Sequence, residues 1–220
     1  MPQQTSSNFS KAETHVTRTN FYVDKPEHFC YDNIRKIKTK NIKYRGYSMD
    51  FLTLAKDRYS ARSFVGGEIP PEDIDKIIEA GLCAPTAVNI QPFKIWAIQS
   101  DEAKEKLLSF TKMKFIEPAP VIFVIGSNSD YAWVRPYDQK NFADIDAAIV
   151  TTQMMLEIHD LGYGSTWIGH FDAVSIKDFF PDMADYELIA LLPVGILAED
   201  CAPSERHAQS KSRDELVEFL

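Results

Sequence analysis

Two arginines and a serine alternate in the stretch RYSAR, residues 58–62. An extended backbone repeats its side-chain direction every second residue, so Arg58, Ser60 and Arg62 would share one side. That side would present two guanidinium forks and a hydroxyl, a set suited to phosphate; each charge-assisted hydrogen bond contributes about 1.5–3 kcal/mol net. Two solvated arginines at a helix end are the plainer account of the same residues. A second group sits between Pro85 and Pro92 in APTAVNIQP. Asn89 and Gln91 each offer a donor and an acceptor, as reading the alternating C=O and N–H edge of a uracil-like ring requires. The competing account is turn chemistry, in which Asn and Pro serve only their own backbone. The third stretch, GYGSTWIGHF at 162–171, is spaced by glycines but follows a helix and enters a strand. A dinucleotide fingerprint needs strand, glycine turn and helix, and Trp167 stands where its last glycine belongs. What remains is Gly169, where a missing side chain lets backbone approach a flat ligand. Lys211 and Arg213 form an isolated basic pair, able to complete an anion clamp or to balance acidic neighbours.

These groups need a scaffold, and the periodicity supplies one from Met49 onward. Residues 49–60 and 71–82 read as helices, the second with Ile74, Ile77 and Ile78 on one face, acidic residues in its first turn and Gly81 near its end. FKIWAI reads as a strand, DEAKEKLLSF as a surface helix and PVIFVIG as a continuous apolar strand buried on both faces. ADIDAAIVTTQMMLEIHDLG, at 143–162, is the longest helix, apolar over much more than one stripe, which demands neighbours on several sides. His159 within it reads as a packed or interface histidine. YGSTWIG and ELIALLPVGIL supply two further strands, and the last twenty residues form a polar arm. Mixed helices and strands around one sheet predict an α+β layered domain.

Composition bounds the function classes. The chain has 220 residues, 45% hydrophobic, and no apolar run long enough to span a bilayer. Cys30, Cys83 and Cys201 are scattered, with no zinc-type spacing, and read as reduced thiols of a cytoplasmic protein. A net charge of −8 argues against a general grip on nucleic acid, so an anionic ligand must meet a local basic cluster. Residues 1–48 carry 9 Lys+Arg and 4 Asp+Glu, leaving 15 and 28 for the remainder, so a +5 segment precedes a −13 body. The leading segment lacks apolar period and is expected to be a disordered or non-native extension. It has no apolar region of the secretory kind; an organellar transit peptide and translated upstream sequence with a natural start at Met49 both remain open.

One resemblance gathers these signals. Residues 49–220 resemble the FMN-dependent nitroreductase family: RYSARSF is similar to its RxSxRxF motif, and APTAVNIQPFKI to its AP(S/T)xxNxQPW segment, with Phe93 in place of Trp. The long helix and the following GYGSTWIGHFD resemble the family's central dimer helix and next strand, and PVGILAEDCAPSERHAQSKSRDELVEF resembles its tail. The resemblance implies a three-layer α-β-α fold with a mainly antiparallel central sheet, in a domain-swapped homodimer. It implies that Arg58, Ser60 and Arg62, with the Tyr59 backbone, hold the FMN phosphate, joined by Lys211 and Arg213. Asn89 would read the pyrimidine edge, with Pro85, Thr86 and Gln91 shaping the pocket from the opposite subunit. Gly169 and His170 would lie along the ring near N5, their N–H groups stabilising the charge of the reduced state. His170 replaces a residue that is often small or acidic.

The implied activity is transfer of hydride from NAD(P)H through the flavin to an electron-poor acceptor such as a nitroaromatic or quinone. The cofactor carries the chemistry, so no catalytic side chain is expected. The alternatives are a same-fold flavoenzyme with other chemistry (dehalogenation, enone reduction, flavin breakdown) and a non-catalytic FMN-binding protein. Tyr131, Trp133, Tyr137 and Phe142 would form either a lid over a flat acceptor or dimer packing. Neither nucleic acid nor membrane is an expected partner.

Overall fold

The computed structural model describes residues 50–220, so the expected N-terminal extension and Cys30 lie outside the described residues. Helix α1 (Phe51–Asp57) starts where the Asp50 carboxylate accepts from the N–H groups of Leu52 and Thr53, two donors that a helix start otherwise leaves unpaired. Helix α2 (Pro71–Leu82) begins with proline, whose missing N–H costs nothing at a first turn. Glu72 and Asp73 face its positive end. Helix α3 (Asp101–Leu108) is capped by Ser100, whose hydroxyl accepts from Ala103 N–H.

Five antiparallel strands form the sheet. β2 (Phe93–Ile98) pairs with β3 (Val121–Ser127), and β3 with β5 (Glu187–Leu197). The short β1 (Phe64–Val65) and β4 (Gly164–Ser165) both pair with β5. The stretch expected as a strand over YGSTWIG shrinks to the two residues of β4, because the chain then leaves β5 and returns for a single bridge between Ile168 and Leu191.

Both faces of the sheet are covered, which makes three layers. Along β3, Val121, Phe123 and Ile125 pack toward α2 and the long helix α4 (Ala143–Asp160), while Ile122 and Val124 pack toward α3 and the loop residues Ile116, Ile176 and Met183. Alternation of this kind is what a pleated strand imposes when both faces are buried. On β5 the pairing shifts between Ile125–Ala190 and Gly126–Leu188, leaving Ile189 extra. That bulge moves Leu188 to the α3 side while Ala190, Leu192 and Val194 face α4.

Helix α4 buries Ala147, Val150, Met154 and Ile158 completely. Full burial of each large apolar side chain stabilises by about 1.5–3 kcal/mol. Its other side leaves Ile145 and Ile149 37% and 36% exposed, one turn apart. The helix ends when Gly162 adopts φ 86°, and the N–H groups of Gly162 and Tyr163 return to the carbonyls of His159 and Ile158. This is a Schellman closure, and the left-handed position suits glycine.

Candidate functional site

The RYSAR segment leaves α1 at Arg58, whose φ and ψ of −60° and 125° are extended. It then runs beside β4: Ser60 bridges Ser165, and Ala61 N–H donates to Ser165 O at 2.9 Å. Ala61 is buried, so it is the inward residue of the segment, while Ser60 is half-buried and Arg62 exposed. Arg62 Nη1 donates to Ser60 O at 3.1 Å, which folds the guanidinium back over the segment. Among the described residues neither Arg58 nor Arg62 has a carboxylate partner.

The polar arm begins by returning to this segment. Tyr59 donates its hydroxyl to Cys201 O at 3.2 Å, and its ring meets His207 edge-on at 6.3 Å. Burial, followed by the Cys201 contact, pushes the Tyr59 phenol up. His207 Nε2 lies 3.1 Å from Lys56 O, and Ser63 Oγ donates to Asp200 at 3.2 Å. The arm therefore reaches the basic segment four residues before Lys211. Arg213 opens the one-turn helix α5 (Arg213–Leu216), with Ser212 and Glu215 forming a capping box. Its guanidinium lies 5.3 Å from the Phe219 ring.

The amide group is built on unusual backbone. Val88, Asn89 and Gln91 have φ of 46°, 55° and 58°, in the left-handed region that disfavours side chains and is a true outlier for a β-branched residue. Each such residue costs about 1–3 kcal/mol and persists only when its surroundings over-determine it. Here Asn89 N–H donates to Thr86 O, and Gln91 N–H to Thr86 Oγ1 at 3.1 Å. Pro85 begins the turn and Pro92 is buried at its end, where its carbonyl accepts from Asn128 N–H at 2.8 Å. Turn chemistry thus uses the backbone, while the side chains of Asn89 and Gln91 are exposed and have no partner among the described residues.

Gly169 and His170 follow the Ile168–Leu191 bridge and are exposed. Thr111 Oγ1 donates to His170 O at 3.1 Å, and Phe110 O accepts from Asp172 N–H, so the loop is held from behind. A Cβ at Gly169 would meet nothing within 4 Å, and among the described residues no acceptor takes the Gly169 or His170 N–H. Beside them lies a cavity of about 350 Å³ lined by residues 109–112 and 170–172. Of the aromatic segment, Trp133 packs edge-on against Phe142 at 4.9 Å. Tyr131 meets the Tyr186 hydroxyl at 3.4 Å, and burial with that contact pushes its phenol up to about 12. Of the four, Tyr137 projects furthest, at 96% exposure.

Helix α4 separates the basic segment from the amide turn. The amide turn is tied to its first turn, where Asp146 Oδ1 accepts Ala87 N–H at 3.0 Å. The basic segment packs at the other end, where Arg58, Tyr59 and Ala61 line a crevice with His159, Tyr163 and Gly164. From Asp146 to His159 is thirteen residues of helix, about 20 Å at 1.5 Å per residue. Sequence reasoning gave no role at the site to Asp146, Thr111, Cys201 or His207, because each acts on residues distant in the chain.

The donor chemistry fits a phosphorylated flavin: forked cations without carboxylate partners, uncommitted amides for a pyrimidine edge, and free N–H groups on a loop with open space above it. Comparison with known proteins gives the family. The nitroreductase family model matches residues 55–117 and 107–196, and the chain belongs to that family. A nitroreductase family protein from Clostridium difficile 630 is 32% identical, with a TM-score of 0.71 over 78% of this chain and 98% of that one. A Bacillus subtilis protein bearing the provisional name NAD(P)H nitroreductase is 28% identical over 194 residues, 71% of this chain and 93% of its own. A protein from Exiguobacterium sibiricum, solved in complex with FMN, shares the fold at 21% identity and a TM-score of 0.69, over 80% of this chain and 99% of that one. Among the described residues no helix is long and apolar enough to cross a membrane.

Proposed function

We propose that this chain is an FMN-dependent oxidoreductase, acting as a two-fold homodimer, that passes hydride from NAD(P)H to an electron-poor acceptor such as a nitroaromatic or quinone. The observation that carries the reading is the separation of two complementary half-sites by α4. Arg58 and Arg62, with the Ser60 hydroxyl, lie at one end, where the arm returns as far as His207 and would add Lys211 and Arg213; Asn89 and Gln91 supply amides on a turn shaped by Thr86 at the other. Two copies related by a two-fold axis, with their α4 helices antiparallel, would set the basic end of one beside the amide end of the other. The exposed Ile145 and Ile149 stripe is the surface available for that pairing.

Bound FMN would supply the redox chemistry, carrying hydride from donor to acceptor. The chain binds and orients. The basic cluster neutralises the phosphate in a body whose own charge is −13, Asn89 and Gln91 select the ring edge, and the N–H groups of Gly169 and His170 stabilise charge that appears on reduction. Names among the relatives that specify NAD(P)H, and the FMN complex of a structural neighbour, support the same choice of cofactor and donor.

The test is spectroscopic. The purified protein should carry or take up FMN with flavin absorption near one per chain, bleach with NADH or NADPH under anaerobic conditions, and recover its colour on adding a nitroaromatic or quinone. Bleaching without recovery would point to a different acceptor class, such as an enone or organohalide. A protein that ignores FMN would end the proposal.

A further inference from the structure

The buried Asp146 carboxylate belongs to none of the binding groups described above, yet its position is unusual. It is 1% exposed, in the first turn of α4. One oxygen accepts Ala87 N–H at 3.0 Å across 59 residues of sequence; the other, Oδ2, is buried with no partner among the described residues. A buried charge half satisfied is unfavourable for stability, and an apolar residue of similar size would fill the place with less penalty. Something about the turn it holds therefore merits the carboxylate.

That turn is the one presenting Asn89. Its other hydrogen bonds are local: Asn89 N–H to Thr86 O, Ile90 N–H to Ala87 O, Gln91 N–H to Thr86 Oγ1 and Phe93 N–H to Gln91 O. Local bonds give the turn a shape but not a position. Beyond the Pro92 end, where Asn128 N–H reaches Pro92 O, the Asp146 contact is the bond that ties this strained loop to a rigid element. It acts on Ala87, immediately before Val88 and Asn89, both held in the left-handed region.

We infer that Asp146 is a positioning residue for cofactor recognition: through Ala87 N–H it locks the Thr86–Gln91 turn so that Asn89 and Gln91 face the ring edge of a flavin. The inference rests on the proposed FMN reading. It assigns Asp146 no contact with the cofactor and no proton transfer.

The test measures FMN affinity by titration, the visible absorption of the bound flavin, and the Tm of the protein without flavin. Asp146→Ala removes the tether and should raise the FMN Kd about tenfold with a shift of the visible band, because the ring edge loses its oriented amides. Ala87→Pro removes the same hydrogen bond from the other side; Thr86, at φ −125° and ψ 159°, already has the extended conformation a following proline requires. It should reproduce the loss, and it stands in for Asp146→Ala should that variant fail to fold. Asp146→Asn keeps an acceptor for Ala87 N–H while burying an unpaired amide NH2 group, so it should lower Tm yet hold the Kd within about threefold of wild type. Combined with Asn89→Ala, loss of Asp146 should cost less than it does alone, because part of its effect passes through the amide already removed. Unchanged Kd and spectrum in both Asp146→Ala and Ala87→Pro, or effects of Asp146→Ala and Asn89→Ala that multiply fully, would overturn the inference while leaving the flavin reading intact. A wild-type protein without FMN affinity would overturn both.

Discussion

The two ends of α4 solve different problems with different materials. At its C-terminal end the basic segment has ordinary extended backbone, it is anchored by β4 and a returning arm, and its Arg62 is exposed without a carboxylate partner among the described residues. At its N-terminal end the backbone itself is strained, with Val88, Asn89 and Gln91 left-handed and a buried carboxylate fastening the turn. The contrast follows from the interactions each end would make. Attraction between a guanidinium and a phosphate is long-ranged and tolerates side-chain freedom, whereas neutral amide hydrogen bonds weaken steeply once misaligned. A charge clamp can be loose; an amide reader must be held.

The comparison breaks most completely if the two ends never meet. Ile149→Glu places a carboxylate on the exposed stripe of α4, where burial without a partner costs several kcal/mol. The proposed homodimer should dissociate, seen by analytical ultracentrifugation, and FMN affinity should fall about 100-fold or more while the isolated chain keeps its helical circular dichroism. A dimer that persists with full affinity would show that the half-sites are not joined across this stripe.

Next in size is the clamp. Arg58→Ala with Arg62→Ala should raise the FMN Kd about 100-fold, two charge-assisted bonds being lost, and leave Tm without flavin unchanged because neither side chain has a carboxylate partner among the described residues. Riboflavin, which has no phosphate, sharpens the contrast: its weaker binding should ignore this double change and ignore added salt. Asn89→Ala should do the reverse, weakening FMN and riboflavin alike by about tenfold or less, as expected for a neutral hydrogen bond. Equal sensitivity of riboflavin to both changes, measured by fluorescence quenching, would erase the division of labour.

The smallest effect concerns His159, beside the basic segment. Burial, the largest influence, holds its pKa below 6.5; Arg58 adds to this, while Asp57 and Asp160 oppose it. The unfolded chain therefore takes up a proton at higher pH than the folded one. Stability fully present above pH 6.5 is lost as pH falls through the lowered folded value. Urea unfolding at pH 7 and pH 5 should show this loss, and His159→Gln should make it shallower without altering FMN affinity at pH 7.

Much of the scaffold was legible because its periods are strong. Residues 71–82 and FKIWAI form the helix and strand that their patterns predict, and the long helix ends two residues before the expected limit, where Gly162 closes it. YGSTWIG misled because an apolar, glycine-bearing run looks like a strand whether or not a neighbour stays beside it; only Gly164 and Ser165 remain paired with β5. The contacts of the polar arm were not legible, since they depend on Tyr59, Cys201 and His207, single residues without a periodic pattern.

The amino-acid sequence alone determined the fold class, the family and the chemical types of the two candidate groups, because periodicity and motif spacing are local properties of a chain. Only the tertiary structure decided that those groups stand about 20 Å apart along one helix and that Asp146 fastens the strained turn. Distance and register between segments far apart in sequence arise from how the sheet and helices pack, and no local pattern encodes them.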